Sequence, residues 1–178
     1  MKKTILIIGL LLILSFVFDN WIIDFVTSLR TENVTSFMMV ITSIGFLFVV
    51  FVSYSFLLKN NKKIALLILS IVLSYLIGFI LKLLIMRERP DAALFFESSY
   101  SFPSNHAATI FSTLPLMTKN FPKYIYLFFI VAILVSFSRI YLGVHYASDL
   151  ILGGFLGYTI GLIVMKFGEK KWKINGRN

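Results

Sequence analysis

The chain has no cysteine, which excludes disulfides, thiolate nucleophiles and thiolate metal sites while leaving the redox compartment open. Charge is scarce as well: 14% of its 178 residues are Asp, Glu, Lys or Arg, against 58% hydrophobic. A soluble domain of this length does not need so apolar a composition, and a mean hydropathy of +0.90 marks an integral membrane protein. Acidic residues are the scarcer sign, 8 against 17 Lys and Arg, for a net charge of +9. Such a surplus invites a nucleic-acid reading, which its distribution along the chain excludes.

Met1-Lys-Lys and the apolar run 4–18 have the charged start and core of a signal peptide, but Asp19-Asn-Trp follows where a small-residue cleavage site would stand. An uncleaved, somewhat short first transmembrane helix is therefore predicted. Residues 19–36 mix Trp21, Ile22, Phe25, Val26 and Leu29 with Asp24, Arg30 and Glu32, the pattern of a short interfacial helix between spans one and two. A lid or plain packing fits the same residues. Further spans are predicted over 37–58, 64–86, 105–117, 124–141 and about 145–164. Residues 87–102 form the one long polar loop, where Pro90 stops the preceding helix because it lacks an N–H and clashes with the turn before it. The predicted fold is all-α, an integral membrane bundle of six transmembrane helices in a single domain over 1–178, with a frayed basic tail over 166–178.

Six spans put both termini on one side. Lys2, Lys3, Lys59, Lys62, Lys63, Lys119, Lys123 and the basic residues from Lys166 onward fall there, so the positive-inside rule assigns that side to the cytoplasm of a plasma membrane. Arg30, Lys82, Arg87, Arg89 and Arg139 fall outward, together with Asp19, Asp24, Glu32, Glu88, Asp91, Glu97 and Asp149. The surplus of positive charge is thus a topology signal, and no nucleic-acid partner is expected.

Following the helix directions, Lys82 to Arg89, His106, Arg139, His145 and Asp149 all meet at the outer face. Ionisable groups at membrane depth are costly and mark a functional site by default. Lys82 and Arg89 are seven residues apart, about two helical turns, so both project from one face and can clamp an anion. Arg139 and His145 are six apart, about 240° on a straight helix, and a turn at Gly143 would bring both into one pocket. His145 and Asp149, four apart, lie on one helix face, so the carboxylate can hold one imidazole nitrogen and leave the other free. Ser104, Asn105 and His106 open span four, where unpaired backbone N–H groups and the helix dipole favour an anion. Three fixed cations, free N–H groups and two histidines with one carboxylate make a phosphoryl-transfer site that stabilises negative charge with no metal or other cofactor.

These stretches resemble the signature of the type 2 phosphatidic acid phosphatase (PAP2) superfamily, which has three parts: K-x6-R-P, P-S-G-H and S-R-x5-H-x3-D. They stand here as Lys82 to Pro90, Pro103 to His106 and Ser138 to Asp149, in the family's order and spacing. The resemblance implies that His145 attacks phosphorus to give a phosphohistidine, that Asp149 orients it, and that His106 protonates the leaving oxygen. Lys82, Arg89, Ser104, Asn105 and Arg139 would line the phosphoryl group. Size and the Glu-Ser-Ser run before Pro103 resemble bacterial lipid phosphatases acting on phosphatidylglycerophosphate and undecaprenyl pyrophosphate. The chain departs from the signature at Asn105, where the motif has Gly; Asn tolerates a left-handed turn, and its side chain would narrow the pocket.

Other readings stand beside this one. Singly, each histidine fits a structural hydrogen bond, Lys82 fits snorkelling to the interface, and Arg139 fits mere neutralisation of Asp149. Arg87 points about 140° from Lys82 on a continued helix, which assigns it to a lipid headgroup or to solvent. Gly153, Gly157 and Gly161 read as a small-residue packing seam. A metal hydrolase built from His106, His145, Asp149 and Asp91 or Glu97 is disfavoured by the surrounding cations. A lipid-phosphate carrier or flippase would use the basic pocket alone and leaves the His145/Asp149 pair unexplained. Oligomeric state is silent.

Overall fold

The computed structural model describes residues 2–172, with the backbone alone at 2–8 and 11. Among the described residues every regular element is helical: α1 (Lys2–Ser28), α2 (Glu32–Thr42), α3 (Ile44–Leu58), α4 (Asn61–Ile85), α5 (Asn105–Asn120), a short 3-10 turn (Pro122–Tyr124), α6 (Ile125–Tyr141) and α7 (Ala147–Trp172). Asn60 starts α4 by accepting the Lys62 and Lys63 N–H groups on its Oδ1 at 3.0 and 3.1 Å, which satisfies two donors that have no partner within the helix. Met86 ends the same helix in a left-handed conformation, φ 51°, its N–H returning to the Lys82 carbonyl.

Two elements differ from the reading of the sequence. No separate interfacial helix forms over 19–36: residues 19–28 continue α1 without a break, and 32–36 open α2. Hydropathy sees the charged residues there but not their partners, and Asp19 is buried. The helix expected over 37–58 is instead broken at Ser43, where α2 and α3 bend by 53°. Ser43 serves both pieces: its Oγ donates to the Val40 carbonyl at 2.8 Å and accepts the Phe46 N–H at 3.1 Å. The basic tail is helical as far as Trp172, and the part expected over 173–178 lies outside the described residues.

Among the described residues, three helical segments are long and apolar enough to cross a membrane, Asn61–Ile85, Pro122–Tyr141 and Ala147–Trp172, and the bent α2/α3 pair makes a fourth if it is one span. Their outer faces carry Leu84 at 73% exposure, Ile163 at 62% and Ile130 at 60%, a burden of apolar surface that lipid removes and water does not. The chain is a multi-pass membrane protein.

The tightest seam joins α5 to α7. A Cβ at Gly157 would stand 1.9 Å from the Ala108 carbonyl oxygen, and one at Gly161 would stand 2.1 Å from that of Ser112. The small-residue seam read from the sequence therefore packs backbone against backbone. One core cluster, including Leu58, Leu66, Leu114, Met117 and Phe128, fills the bundle; a second, including Ile23, Val26, Ile140, Leu142 and Val144, packs around the α6–α7 connection.

Candidate active site

The ends of α4 and α6 and the starts of α5 and α7 converge, and the loop 86–104 folds over them. Gly143 makes the α6–α7 turn with φ +74°, as the spacing of Arg139 and His145 required. Substitution there is blocked twice, since a Cβ would meet the Ala92 carbonyl at 2.2 Å. Lys82, Arg89, Asn105, His106, Arg139 and His145 line one cavity of about 770 Å³.

His145 is 2% exposed, and its two ring nitrogens have opposite surroundings. Nδ1 lies 3.0 Å from Asp149 Oδ2, and Nε2 lies 3.3 Å from Arg89 Nη1. A guanidinium only donates, so Nε2 is the acceptor and Nδ1 carries the proton that Asp149 holds. Burial, followed by the charges of Arg139, Lys82 and Arg89, holds this imidazole well below its ordinary pKa of 6.5. The result is a neutral imidazole with a lone pair facing the cavity.

The cations are tied down by the loop. Lys82 Nζ donates to the Ser101 carbonyl at 2.9 Å and also to that of Tyr100. Arg89 donates to the Ser99 carbonyl at 2.8 Å and the Val144 carbonyl at 2.6 Å. Lys82 and Arg89 therefore do converge, but through the Met86 reversal and the returning loop, since α4 stops at Ile85 and the two helical turns assumed from the sequence are not there. Arg139, 2% exposed, donates Nη1 to Thr42 Oγ1 at 2.6 Å and Nη2 to Glu97 Oε1 at 2.5 Å. Its Nε is buried without a hydrogen-bond partner.

Glu97 was considered from sequence only as a rival metal ligand, yet it sits in the cradle, with Oε2 also 3.7 Å from Arg89. Burial alone would raise its pKa; the Arg139 hydrogen bond and the charges of Arg139 and Arg89 outweigh that and leave it below the ordinary carboxylate value. Among the described residues no three His, Asp or Glu side chains gather as a metal-ligand set.

His106 faces the cavity from the first turn of α5, its Nε2 donating to the Thr42 carbonyl at 3.1 Å. Asn105 is the first residue of α5 and has no left-handed conformation, so the tolerance argued from the sequence is not what admits it. Space admits it: its buried Oδ1, without a hydrogen-bond partner, occupies the place where a side chain at Gly78 would begin, 2.2 Å from that Cβ. Ser104 departs from expectation, because it does not line the cavity. Its Oγ caps α5 by accepting the Ala107 N–H at 3.5 Å, and its own N–H donates to the Asp149 carbonyl at 3.0 Å. Asp149 also stands back from the cavity, behind His145 and 0% exposed.

Arg87 overturns its sequence assignment. Its guanidinium turns inward although the side chain keeps 21% exposure: Nη1 meets Asp149 Oδ1 at 2.9 Å and Nη2 meets Asp19 Oδ2 at 2.8 Å. The 140° offset presumed a helix that had already ended. Of the residues missed, Asp19 alone carried a signal, a carboxylate beside a long apolar run; Thr42 carried none.

Phosphatidylglycerophosphatase B of Bacillus subtilis is 42% identical over 109 residues, 53% of this chain and 53% of that protein. An undecaprenyl-diphosphatase of Sulfolobus acidocaldarius is 32% identical over 114 residues, 59% of this chain and 55% of the relative. The chain thus matches little more than half the length of these curated relatives. A crystal structure described as the first transmembrane PAP2 type phosphatidylglycerolphosphate phosphatase, from Bacillus subtilis, superposes with a TM-score of 0.78 at 28% identity, covering 98% of this chain and 100% of that one. The PAP2 superfamily model matches residues 63–173, more than half of the chain and every residue from α4 to α7 that lines the cavity, and on that match this chain belongs to the PAP2 superfamily.

Proposed function

We propose that this chain hydrolyses the terminal phosphate of a membrane lipid phosphate or pyrophosphate, without a metal, at the extracytoplasmic face. The observation that carries the reading is the amphipathic cavity. Its head is cationic, with Lys82, Arg89 and Arg139 beside His106 and His145, and its other walls are Leu47, Phe48 and Phe51 of α3 with Ile71, Val72 and Tyr75 of α4. A phosphate on an acyl or prenyl chain has the same two-part character. The names of the relatives point to phosphatidylglycerophosphate and undecaprenyl diphosphate as the substrate class.

In the reaction, the His145 Nε2 lone pair attacks phosphorus and the bond to the leaving oxygen breaks, that oxygen taking the Nδ1 proton of a His106 protonated on both nitrogens, whose Nε2–H stays on the Thr42 carbonyl. The imidazole becomes a phosphohistidine whose Nδ1–H stays on Asp149. Water then attacks phosphorus, giving a proton back to His106, and the N–P bond breaks to release phosphate. Lys82, Arg89 and Arg139, with the N–H groups at the start of α5, carry the negative charge of both transition states. Arg139 Nε, a buried donor without a partner, is a group that an oxygen of a bound phosphate would satisfy.

In this reading the chain is one PAP2-type domain with six spans: α1, the bent α2/α3 pair, α4, α5, the 3-10 turn with α6, and α7. Lys59, Lys62, Lys119, Lys123, Lys170 and Lys171 lie at the ends of helices opposite the cavity, which supports cytoplasmic termini. The test is phosphate release by the purified protein in mixed micelles with chelator present, across phosphatidylglycerophosphate, undecaprenyl pyrophosphate, phosphatidic acid and a soluble phosphate monoester. Turnover of lipids alone supports the reading. Rescue of chelator-inhibited activity by added metal restores the metal-hydrolase alternative, and lipid binding without phosphate release restores the carrier.

A further inference from the structure

We infer that Asp19 and Arg87 are positioning residues that set the orientation and charge of the His145–Asp149 pair. This rests on the phosphatase reading for its kinetic consequence, though not for its geometry.

Asp149 divides its two oxygens. Oδ2 accepts the His145 Nδ1–H and the Tyr146 N–H, each at 3.0 Å. Oδ1 accepts from Arg87 Nη1 at 2.9 Å, so the carboxylate cannot swing about its last bond without breaking an ion pair. Arg87 is held in turn. Its guanidinium lies 4.0 Å from the Tyr146 ring centre and 5.0 Å from that of Phe16, donates to Ser148 Oγ at 2.6 Å, and ends on Asp19 Oδ2 at 2.8 Å. Asp19, delivered by α1, accepts the Ser148 N–H on Oδ1 at 3.0 Å and also the Ser148 hydroxyl. A residue from the first helix therefore satisfies a backbone donor in the first turn of α7, the helix that carries Asp149.

Charge explains why both residues are needed. Arg87 alone beside Asp149 would neutralise the carboxylate that must steady the cationic imidazole formed on attack. Asp19 takes up that positive charge, and the Asp19–Arg87–Asp149 series, its two carboxylates buried, keeps one net negative charge facing His145. Without Arg87, two carboxylates would share one nearly dry site, where like charges disfavour double ionisation. Neither Asp19 nor Arg87 belongs to the cavity lining, so neither touches substrate; both act through Asp149.

The experiment measures kcat, KM and vanadate inhibition on a lipid phosphate in mixed micelles for the wild type, Arg87→Ala, Arg87→Lys and Asp19→Asn. We expect kcat to fall about tenfold to hundredfold in Arg87→Ala and Asp19→Asn, by analogy with loss of the outer partner of a metal-bound histidine. KM and vanadate inhibition should move by less than about threefold, and Arg87→Lys should recover part of kcat. In an Asp149→Asn background, Arg87→Ala should add little further loss, because the group it acts through is already neutral. Unchanged kcat in both single variants overturns the inference, as does equal loss of kcat and vanadate binding, or an undiminished Arg87→Ala effect in Asp149→Asn. The same proteins, labelled with 15N-histidine, give a readout that needs no turnover: the Nδ1–H resonance of His145 should shift in Asp19→Asn. If the wild type releases no phosphate the phosphatase reading fails, and the resonance still decides this one: an unmoved signal overturns it. Should Arg87→Ala fail to purify folded, Arg87→Lys and the near-isosteric Asp19→Asn carry the same comparison.

Discussion

His145 Nε2 lies 3.3 Å from Arg89 Nη1, so the lone pair that faces the cavity also faces a fixed cation. Protonating that nitrogen would set two positive charges side by side in a buried site. The imidazole should therefore stay neutral, as the Nδ1–H tautomer, as pH falls through its ordinary 6.5. Histidine-labelled protein in micelles shows this directly, because the chain has 2 histidines and His106→Gln assigns the second. A titration of His145 near its ordinary 6.5 would contradict the geometry. The sign for stability follows. The unfolded chain gains this proton near pH 6.5 while the fold resists it, so the contribution is intact above 6.5 and is lost as pH falls toward the depressed folded value.

Replacing His145 by Ala should abolish turnover, by about a thousandfold or more, while vanadate or phosphate still binds. The proposed nucleophile is removed, but Lys82, Arg89 and Arg139 keep their loop and helix partners. Isothermal titration with vanadate beside a phosphate-release assay separates binding from chemistry, and near-normal release would take His145 out of the nucleophile's role.

Glu97 occupies Arg139 and Arg89 with a carboxylate where a phosphoryl group is proposed to sit. An incoming phosphate must displace it, so Glu97→Gln should tighten inhibition by inorganic phosphate by about tenfold, near 1.4 kcal/mol. Weaker inhibition in that variant would mean that Glu97 holds the arginines in place rather than competing for them.

Gly157→Ala puts a methyl group against the Ala108 backbone, which no side-chain rotation relieves. Forcing α5 and α7 apart should cost about 1–3 kcal/mol and lower the melting temperature in detergent. Gly9, where an added methyl would meet nothing within 4 Å, is the control, and Gly9→Ala should melt with the wild type.

Phe96 is 89% exposed in the loop beside the cavity. With no native cysteine in the chain, Phe96→Cys should react with an impermeant thiol reagent in intact cells. Labelling only after lysis would reverse the proposed orientation and put the chemistry at the cytoplasmic leaflet.

The sequence by itself determined the helical membrane character and the meeting of Lys82, Arg89, Asn105, His106, Arg139 and His145 at one cavity, though not the places of Ser104, Glu97 and Thr42. Long apolar runs have to satisfy their backbone internally, and ionisable groups such as Lys82, Arg139 and His145 are too costly among them to stand without a use. It also required the turn at Gly143, because two side chains six residues apart cannot face one pocket on a straight helix. Tertiary structure decided how those groups are held. Arg139 meets Thr42 across 97 residues and Asp19 meets Ser148 across 129, pairings that no local period encodes. Arg87 shows the reason most plainly. A helical wheel sends it away from Lys82, but the wheel stops at Ile85, and beyond the left-handed Met86 its direction is set by two buried carboxylates from α1 and α7 that its charge must meet.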